Sequence, residues 1–227
     1  MRIYVSSPGK SIALFCLEIA VATGYLVVLQ IVIGNIIGRG WYPLIKQIEG
    51  DKINLRLVDR SDARSIYRYA GDEDISRNTY IPHPYQLSDA YDFIKSTHSA
   101  RRKKTGFHFG LENKENRQII GMIGLLTINH ALKNGEIGYW LARPFWGRGI
   151  MSEAVRMMLR FCFVEVKLHR VHAHVFPFNK TSIRLLEKVG FSREGLLREA
   201  FVKNGDYVDC YIYSILEDEW ARQSTTL

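Results

Sequence analysis

Two glycines one residue apart stand between an apolar run and a helical pattern in "YWLARPFWGRGIMSEAVRMMLRFC", Tyr139 to Cys162. A chain passing straight from a strand into a helix through "WGRGIM" leaves the first N–H groups of the helix without intrahelical partners and aims them into the turn. Together with the positive end of the helix dipole, such donors hold phosphate oxygens without needing a particular side chain. Gly147 and Gly149 permit close backbone approach, and Arg148 adds charge. The same arrangement also serves as a plain tight connection. Ser152 stands where the third glycine of a G-x-G-x-x-G fingerprint would fall, and the Gly-Lys-Ser/Thr ending of a P-loop is missing. Nicotinamide and nucleoside-triphosphate sites are thereby disfavoured. His169, His172 and His174 also lie close together, two of them on one strand face. A metal site there needs suitable geometry and a third partner.

These residues need elements to carry them. "INLRLV" alternates as a half-buried strand does, and "SDARSIYRYA" follows with Ser61 as N-cap and Ala63, Ile66, Tyr67 and Ala70 at helical spacing. After the break "IPHPY", Ser88 is expected to cap a second helix carrying Tyr91, Ile94 and His98. "GFHFGLE" and "QIIGMIGLLTIN" read as a hairpin, and the turn "KNG" leads to a third strand, "EIGYWL". Met151, Ala154, Val155, Met158, Leu159, Cys162 and Phe163 then recur as one core-facing helix stripe. "RVHAHVF" is a strand, and "KTSIRLLEKV" is a helix stopped by Gly190. "LREAFV" and "YVDCYIYSIL" form a hairpin closed by Asn204 and Gly205. The order is β, α, α, three antiparallel β, α, β, α, β, β, with no internal repeat.

Composition bounds the class. With 227 residues, 47% hydrophobic and 24% charged, the chain can bury a real core. A formal charge of +8 favours an anionic partner, but "RRKK" at Arg101 to Lys104 is the only dense basic run. No nucleic-acid partner is expected. Cys16, Cys162 and Cys210 are far apart and each lies in an apolar context, so they read as reduced core thiols of a cytoplasmic protein. Residues 1–50 form a hydrophobic extension and linker, and residues 51–222 form the folded domain. "IAVATGYLVVLQIVIGNII", Ile19 to Ile37, has no charge and about the length needed to cross a hydrocarbon core of roughly 30 Å. It reads either as a membrane anchor or as a buried or oligomer-forming appendage. The assembly is expected to be a monomer or a homodimer.

"GEIGYWLARPFWGRGIMSEAV", followed about two dozen residues later by "NKTSIRLLEKVGFSREGLLREAFVKNGDYVDCYIYSI", resembles the GNAT superfamily of acetyl-coenzyme A dependent N-acetyltransferases. The likeness is greatest to the branch containing ribosomal-protein N-terminal (alanine/serine) acetyltransferases, and it runs from about Ile53 to Trp220. It implies an α/β GNAT fold: a mixed, mostly antiparallel sheet flanked by helices, with a V-shaped opening at the cofactor site. It implies acetyl-CoA as donor and a primary amine as acceptor, most readily a protein N-terminal α-amino group. A small amine is the alternative substrate, and a non-catalytic acyl-CoA-binding module is the alternative of another class.

Residue by residue, the resemblance implies that Trp146, Gly147, Arg148, Gly149, Ile150 and Met151 cradle the coenzyme A pyrophosphate. Trp146 and Met151 depart from the family's Q/R-x-x-G-x-G/A pattern. Leu141, Ala142 and Arg143 fall on the strand end whose exposed backbone pairs with pantetheine, and an N–H near Leu141 polarises the thioester carbonyl. Glu136 matches a carboxylate used for amine deprotonation; its plain alternative is an exposed strand glutamate. The tyrosine that many members use to protonate the thiolate is replaced by Leu186. The branch's Asn-x-x-Ser falls on Asn179 and Ser182, with Ser182 implied to donate to the departing sulfur and Asn179 to contact the pantetheine arm. Asn179 would equally cap a helix. A further carboxylate position aligns with Phe201, leaving Glu199 on the same strand face as a fallback base. The family uses no metal, so the histidines read as surface or groove residues. Tyr80, Tyr85, Phe93, Phe107 and Trp140 either line an acceptor groove or fill the core.

Overall fold

The computed structural model describes residues 45–224. Among these, eight strands make one sheet: β1 Gln47–Glu49, β2 Ile53–Arg56, β3 Phe107–Asn113, β4 Ile119–Asn129, β5 Asn134–Leu141, β6 Arg170–Val175, β7 Ser192–Lys203 and β8 Asp206–Leu216. Their order is β1-β2-β3-β4-β5-β6-β8-β7. Every neighbouring pair is antiparallel except β5 and β6, which run parallel. The helices are α1 Ala63–Ala70, α2 Glu73–Asn78, α3 Leu87–Lys103, α4 Ile150–Arg160, α5 Lys180–Lys188 and α6 Glu217–Ser224. The mixed, mostly antiparallel sheet with flanking helices is the architecture expected.

Central strand β4 is buried along its first seven residues, as a strand covered on both faces must be. On one face Met122 and Ile119 meet Ala63, Ile66 and Ala70 of α1 and Ala90 and Ile94 of α3. Ile123, its neighbour, points to the other face. There α4 buries Ala154, Val155, Met158 and Leu159, and its C-terminal turn widens at Phe161–Glu165. Phe161 sets its ring edge-on to Phe107 at 5.1 Å and to Phe109 at 5.3 Å.

Several local expectations are corrected. Ser61 is not the N-cap: the Asp59 carboxylate accepts the Ser61 N–H at 2.8 Å and Asp62 accepts the Asp59 N–H at 2.8 Å, making a single tight turn before α1. Ser88 lies inside α3, which is opened by Gln86 and Asp89, the Gln86 N–H donating to Asp89 at 2.7 Å. In both cases an acidic side chain close by outcompetes the hydroxyl for the unpaired N–H groups. The linker contributes strand β1, and α2, capped by Asp72, was not foreseen.

Cys162 and Cys210 are buried and free, and burial pushes both thiols up, Cys210 to about 11. Cys16 lies outside the described residues. Membrane tethering is withdrawn as an expectation: among the described residues no helix is long and apolar enough to cross a membrane. Residues 19–37, which prompted it, lie outside them.

Candidate active site

The parallel β5–β6 ladder lasts for three register pairs, Asn134 with Arg170, Gly135 with Val171 and Glu136 with His172. Beyond them β6 stays paired to β8 and β5 to β4, so the two strands diverge and the sheet opens as a V. A cavity of about 1210 Å³ fills the opening and runs from the glycine turn to the face covered by α2 and α3.

At the narrow end Gly147 and Gly149 hold φ of +75° and +74°, values that cost an L side chain about 1–2 kcal/mol. Gly149 serves as N-cap of α4 without any side-chain cap, so backbone N–H groups of the first turn face the cavity mouth. A Cβ on Gly147 would meet nothing within 4 Å, which leaves the approach to the turn open. Ile150 and Met151 are buried, so these side chains anchor the turn in the core while its backbone faces outward. Met151 still lines the cavity, so the departure there falls on the wall beside the turn. Trp146 ties the turn to the end of β5, because its indole N–H donates to the Leu141 carbonyl at 2.6 Å.

Strand pairing decides which backbone groups of β5 are available. The Ala142 N–H is spent on the Ile120 carbonyl at 2.8 Å. Alternation then turns the Leu141 N–H to the opposite edge, into the V. Ala142, Arg143 and Arg148 do not line the cavity. Arg143 pairs with Asp74 at 3.2 Å, and Arg148 lies over the Phe145 ring at 5.7 Å. The cations beside the turn are others. Lys52 Nζ donates to the Arg148 carbonyl at 2.8 Å, and Lys180, Arg184 and Lys188 stand one helical turn apart along α5 on the cavity wall. The i, i+4, i+8 spacing in "KTSIRLLEK" carried that signal; nothing local marked Lys52.

Deeper in the V, Asn179 caps α5 by accepting the Ser182 N–H at 3.1 Å. Ser182 Oγ lies 2.8 Å from the Tyr139 hydroxyl. Burial pushes that phenol well above its ordinary value, so it stays protonated. Leu186, where a tyrosine was sought, is wholly buried in the core. The hydroxyls that face each other across the V are those of Tyr139 on β5 and Ser182 on α5.

Glu136, at the last paired position of β5, shares a face with His172 and His174. His174 Nδ1 is 2.9 Å from Glu136 Oε1, and the two side chains are 20% and 25% exposed. A ring N–H on Nδ1 donates to the Glu136 carboxylate, which fixes the orientation of both side chains. Phe201 packs on His174 at 5.3 Å and Tyr80 at 5.7 Å, so an aromatic wall stands where a second carboxylate was sought. Glu199 is exposed at a bulge with φ +50° and lies off the cavity, because the register shift between Leu197 and Phe201 breaks the alternation assumed for it.

The wide arm is largely apolar. Tyr80, Tyr85, Phe93 and Trp140 line it, whereas Phe107 belongs to the core. Lys203 Nζ donates to the Ser76 and Thr79 carbonyls at 2.8 and 2.7 Å, fastening the end of α2 to the β7–β8 hairpin and so closing the Tyr80 wall. Of the four cavity carboxylates among the described residues, Asp74 is paired with Arg143 and Asp89 with the Gln86 N–H; Asp92 is exposed and Glu136 faces the V.

Residues 52–192 match the model of the acetyltransferase (GNAT) domain. The chain is 32% identical to the uncharacterized N-acetyltransferase p20 of Bacillus licheniformis, over 75% of this chain and 96% of that protein. It is 27% identical to the spermidine N(1)-acetyltransferase of Vibrio cholerae, over 76% and 98%. The ribosomal-protein-S5-alanine acetyltransferase of Vibrio fischeri superposes with a TM-score of 0.69 at 25% identity, covering 77% of this chain and 98% of that structure.

Proposed function

Because the chain belongs to the GNAT acetyltransferase family and is an acetyl-CoA dependent N-acetyltransferase, we propose that its acceptor is the α-amino group of a protein N-terminus. One observation carries this choice. Among the described residues Glu136 with His174 is the only carboxylate–imidazole pair on the cavity, and it faces an apolar arm in which two of the other three carboxylates are already engaged. A polyamine requires several spaced anions along its length, whereas a peptide N-terminus brings a single cation followed by a small side chain. An α-amine, with an ordinary pKa of about 7.7 to 8.0, is partly neutral near pH 7 and needs only a weak base; lysine, near 10.4, does not share this advantage.

The site suits the donor. Acetyl-CoA supplies the activated acetyl group. Backbone N–H groups at Gly147–Met151 hold its pyrophosphate, with Lys52, Lys180, Arg184 and Lys188 contributing positive charge nearby. The Leu141 N–H, turned into the V, would stabilise the negative charge that develops on the thioester carbonyl oxygen. Asn179 fixes the start of α5 and with it the position of Ser182. Glu136, held by His174, takes the proton of the incoming ammonium. Ser182 delivers a proton toward the departing sulfur and draws on Tyr139 behind it.

Thiol release from acetyl-CoA is to be measured with peptides beginning in alanine or serine, with spermidine and with an amino sugar. The expected order places the peptides first, by tenfold or more in kcat/KM. The spermidine N(1)-acetyltransferase likeness and the exposed Asp92 favour the polyamine as second reading, and a higher kcat/KM for spermidine would overturn the first.

A further inference from the structure

The histidine pair on β6 acquires, in the folded chain, the third partner that a metal site needs. Glu136, His172 and His174 each present a ligand atom, and these atoms lie within 4.8 Å of one another. Glu136 and His172 are register partners on adjacent strands, and His174 follows on the same face, so the backbone of the sheet fixes all three. In a tetrahedral zinc site, with bonds of about 2.0–2.1 Å, ligand atoms stand about 3.4 Å apart. His174 Nδ1 and Glu136 Oε1, at 2.9 Å, stand near that spacing, and zinc takes the place of the proton that Nδ1 shares with the carboxylate.

A second observation points the same way. His172 Nδ1 is buried and, among the described residues, meets no hydrogen-bond partner. The nearby charges do not claim it: Arg170 and Glu194 are bonded to each other at 2.6 Å, and Ser214 donates to Glu194 at 2.7 Å. An imidazole nitrogen buried with no partner, beside a second imidazole and a carboxylate, is the donor set of a catalytic-type zinc centre, with three protein ligands and an open fourth position. Glu136 and His174 line the cavity and His172 does not, so the open position faces the wide arm.

We propose that Glu136, His172 and His174 bind Zn²⁺ and that the bound cation shuts off acetyl transfer by engaging the Glu136 carboxylate. The binding half stands on the geometry alone; the inhibition half rests on the role given to Glu136 above. Zinc takes the carboxylate oxygens that accept the amine proton, and its fourth position takes water or the acceptor amine itself. The site is thus a brake on the enzyme and not part of its chemistry.

The test uses the untagged full chain stripped of metal. Zn²⁺ is titrated against a chromophoric chelator, with Co²⁺ absorption as an independent probe of the coordination geometry in the unsubstituted protein. One Zn²⁺ per chain and an intense visible Co²⁺ band of tetrahedral type are expected. His172→Gln and His174→Gln, each checked for cooperative thermal unfolding, should weaken Zn²⁺ binding tenfold or more, while His83→Gln should not. Acetyl transfer is measured with and without Zn²⁺, each protein against its own metal-free rate; inhibition should be lost in the His172→Gln chain at zinc levels that silence the parent. Unchanged zinc affinity in both variants, or no tetrahedral Co²⁺ band, overturns the site whatever the activity. Tight binding through these ligands without inhibition overturns the brake and, separately, the assignment of Glu136 as base.

Discussion

The Tyr139 hydroxyl on β5 and the Ser182 Oγ on α5 lie 2.8 Å apart across the opening of the sheet. The pair is made possible by the divergence of β5 and β6, which lets α5 drop its first turn toward β5. A phenol held protonated by burial is thereby joined to the hydroxyl assigned to the departing sulfur.

Removing the donor should cost rate and spare affinity. Ser182→Ala is expected to lower kcat by about a hundredfold, the lower end of the range for general acid catalysis. Tyr139→Phe should lower it by about tenfold, with KM for acetyl-CoA changed less than threefold in both. Steady-state kinetics with acetyl-CoA varied check this, and full kcat in the Ser182→Ala enzyme would remove its assigned role.

Replacing Glu136 by Gln should depend on the acceptor's own ionisation. At pH 7 a loss of about a hundredfold in kcat/KM is expected. Above pH 8 the α-amine is mostly neutral without help, so the deficit should shrink by about tenfold. A deficit that is constant from pH 6.5 to 9 would show that Glu136 positions the acceptor and takes no proton.

Gly149 tests the phosphate turn. Alanine there must adopt φ near +74° and brings its Cβ to 3.1 Å from Lys52 Nζ. An alanine whose free turn relaxes away from this φ must recover a strain of about 1–2 kcal/mol on binding, which corresponds to roughly tenfold weaker acetyl-CoA binding with kcat at saturating donor nearly kept. Calorimetric titration with coenzyme A measures it; unchanged affinity would place the pyrophosphate elsewhere.

His108 gives the fold a pH dependence. Burial lowers its pKa to about 4 from the ordinary 6.5, so the unfolded chain takes up the proton more readily. Stability is then fully present above pH 6.5 and falls as pH drops toward 4, on the order of 1 kcal/mol per unit from this group. Urea unfolding at several pH values should show a shallower slope in this window for His108→Gln than for the parent. Equal slopes would mean that the ring titrates normally.

Some of this was readable in one dimension. The glycine turn, the helix stripe from Met151 to Phe163 and the meander before them depend on contacts within a few residues, where backbone hydrogen bonding and side-chain periodicity act directly. The turn therefore implied a phosphate, and its neighbours implied coenzyme A. Capping was misread where two kinds of acceptor competed, hydroxyl against carboxylate, within one turn. Glu199 departs from the expected face because the register between Leu197 and Phe201 slips by two residues around it, and bulges leave little local trace.

The site's chemistry was decided elsewhere. Glu136 meets His174, 38 residues away, and Tyr139 meets Ser182, 43 residues away, only because β5 and β6 pair for three residues and then part. Spacing along the chain specifies which side chains share a face of their own strand or helix. Which strands lie side by side, and where they separate, depends on long-range packing of β4 between α1 and α3 on one face and α4 on the other. Residue types and local turns were therefore legible in the sequence, whereas the pairs Glu136–His174 and Tyr139–Ser182, and the carboxylate beside the two histidines, exist only in the folded sheet.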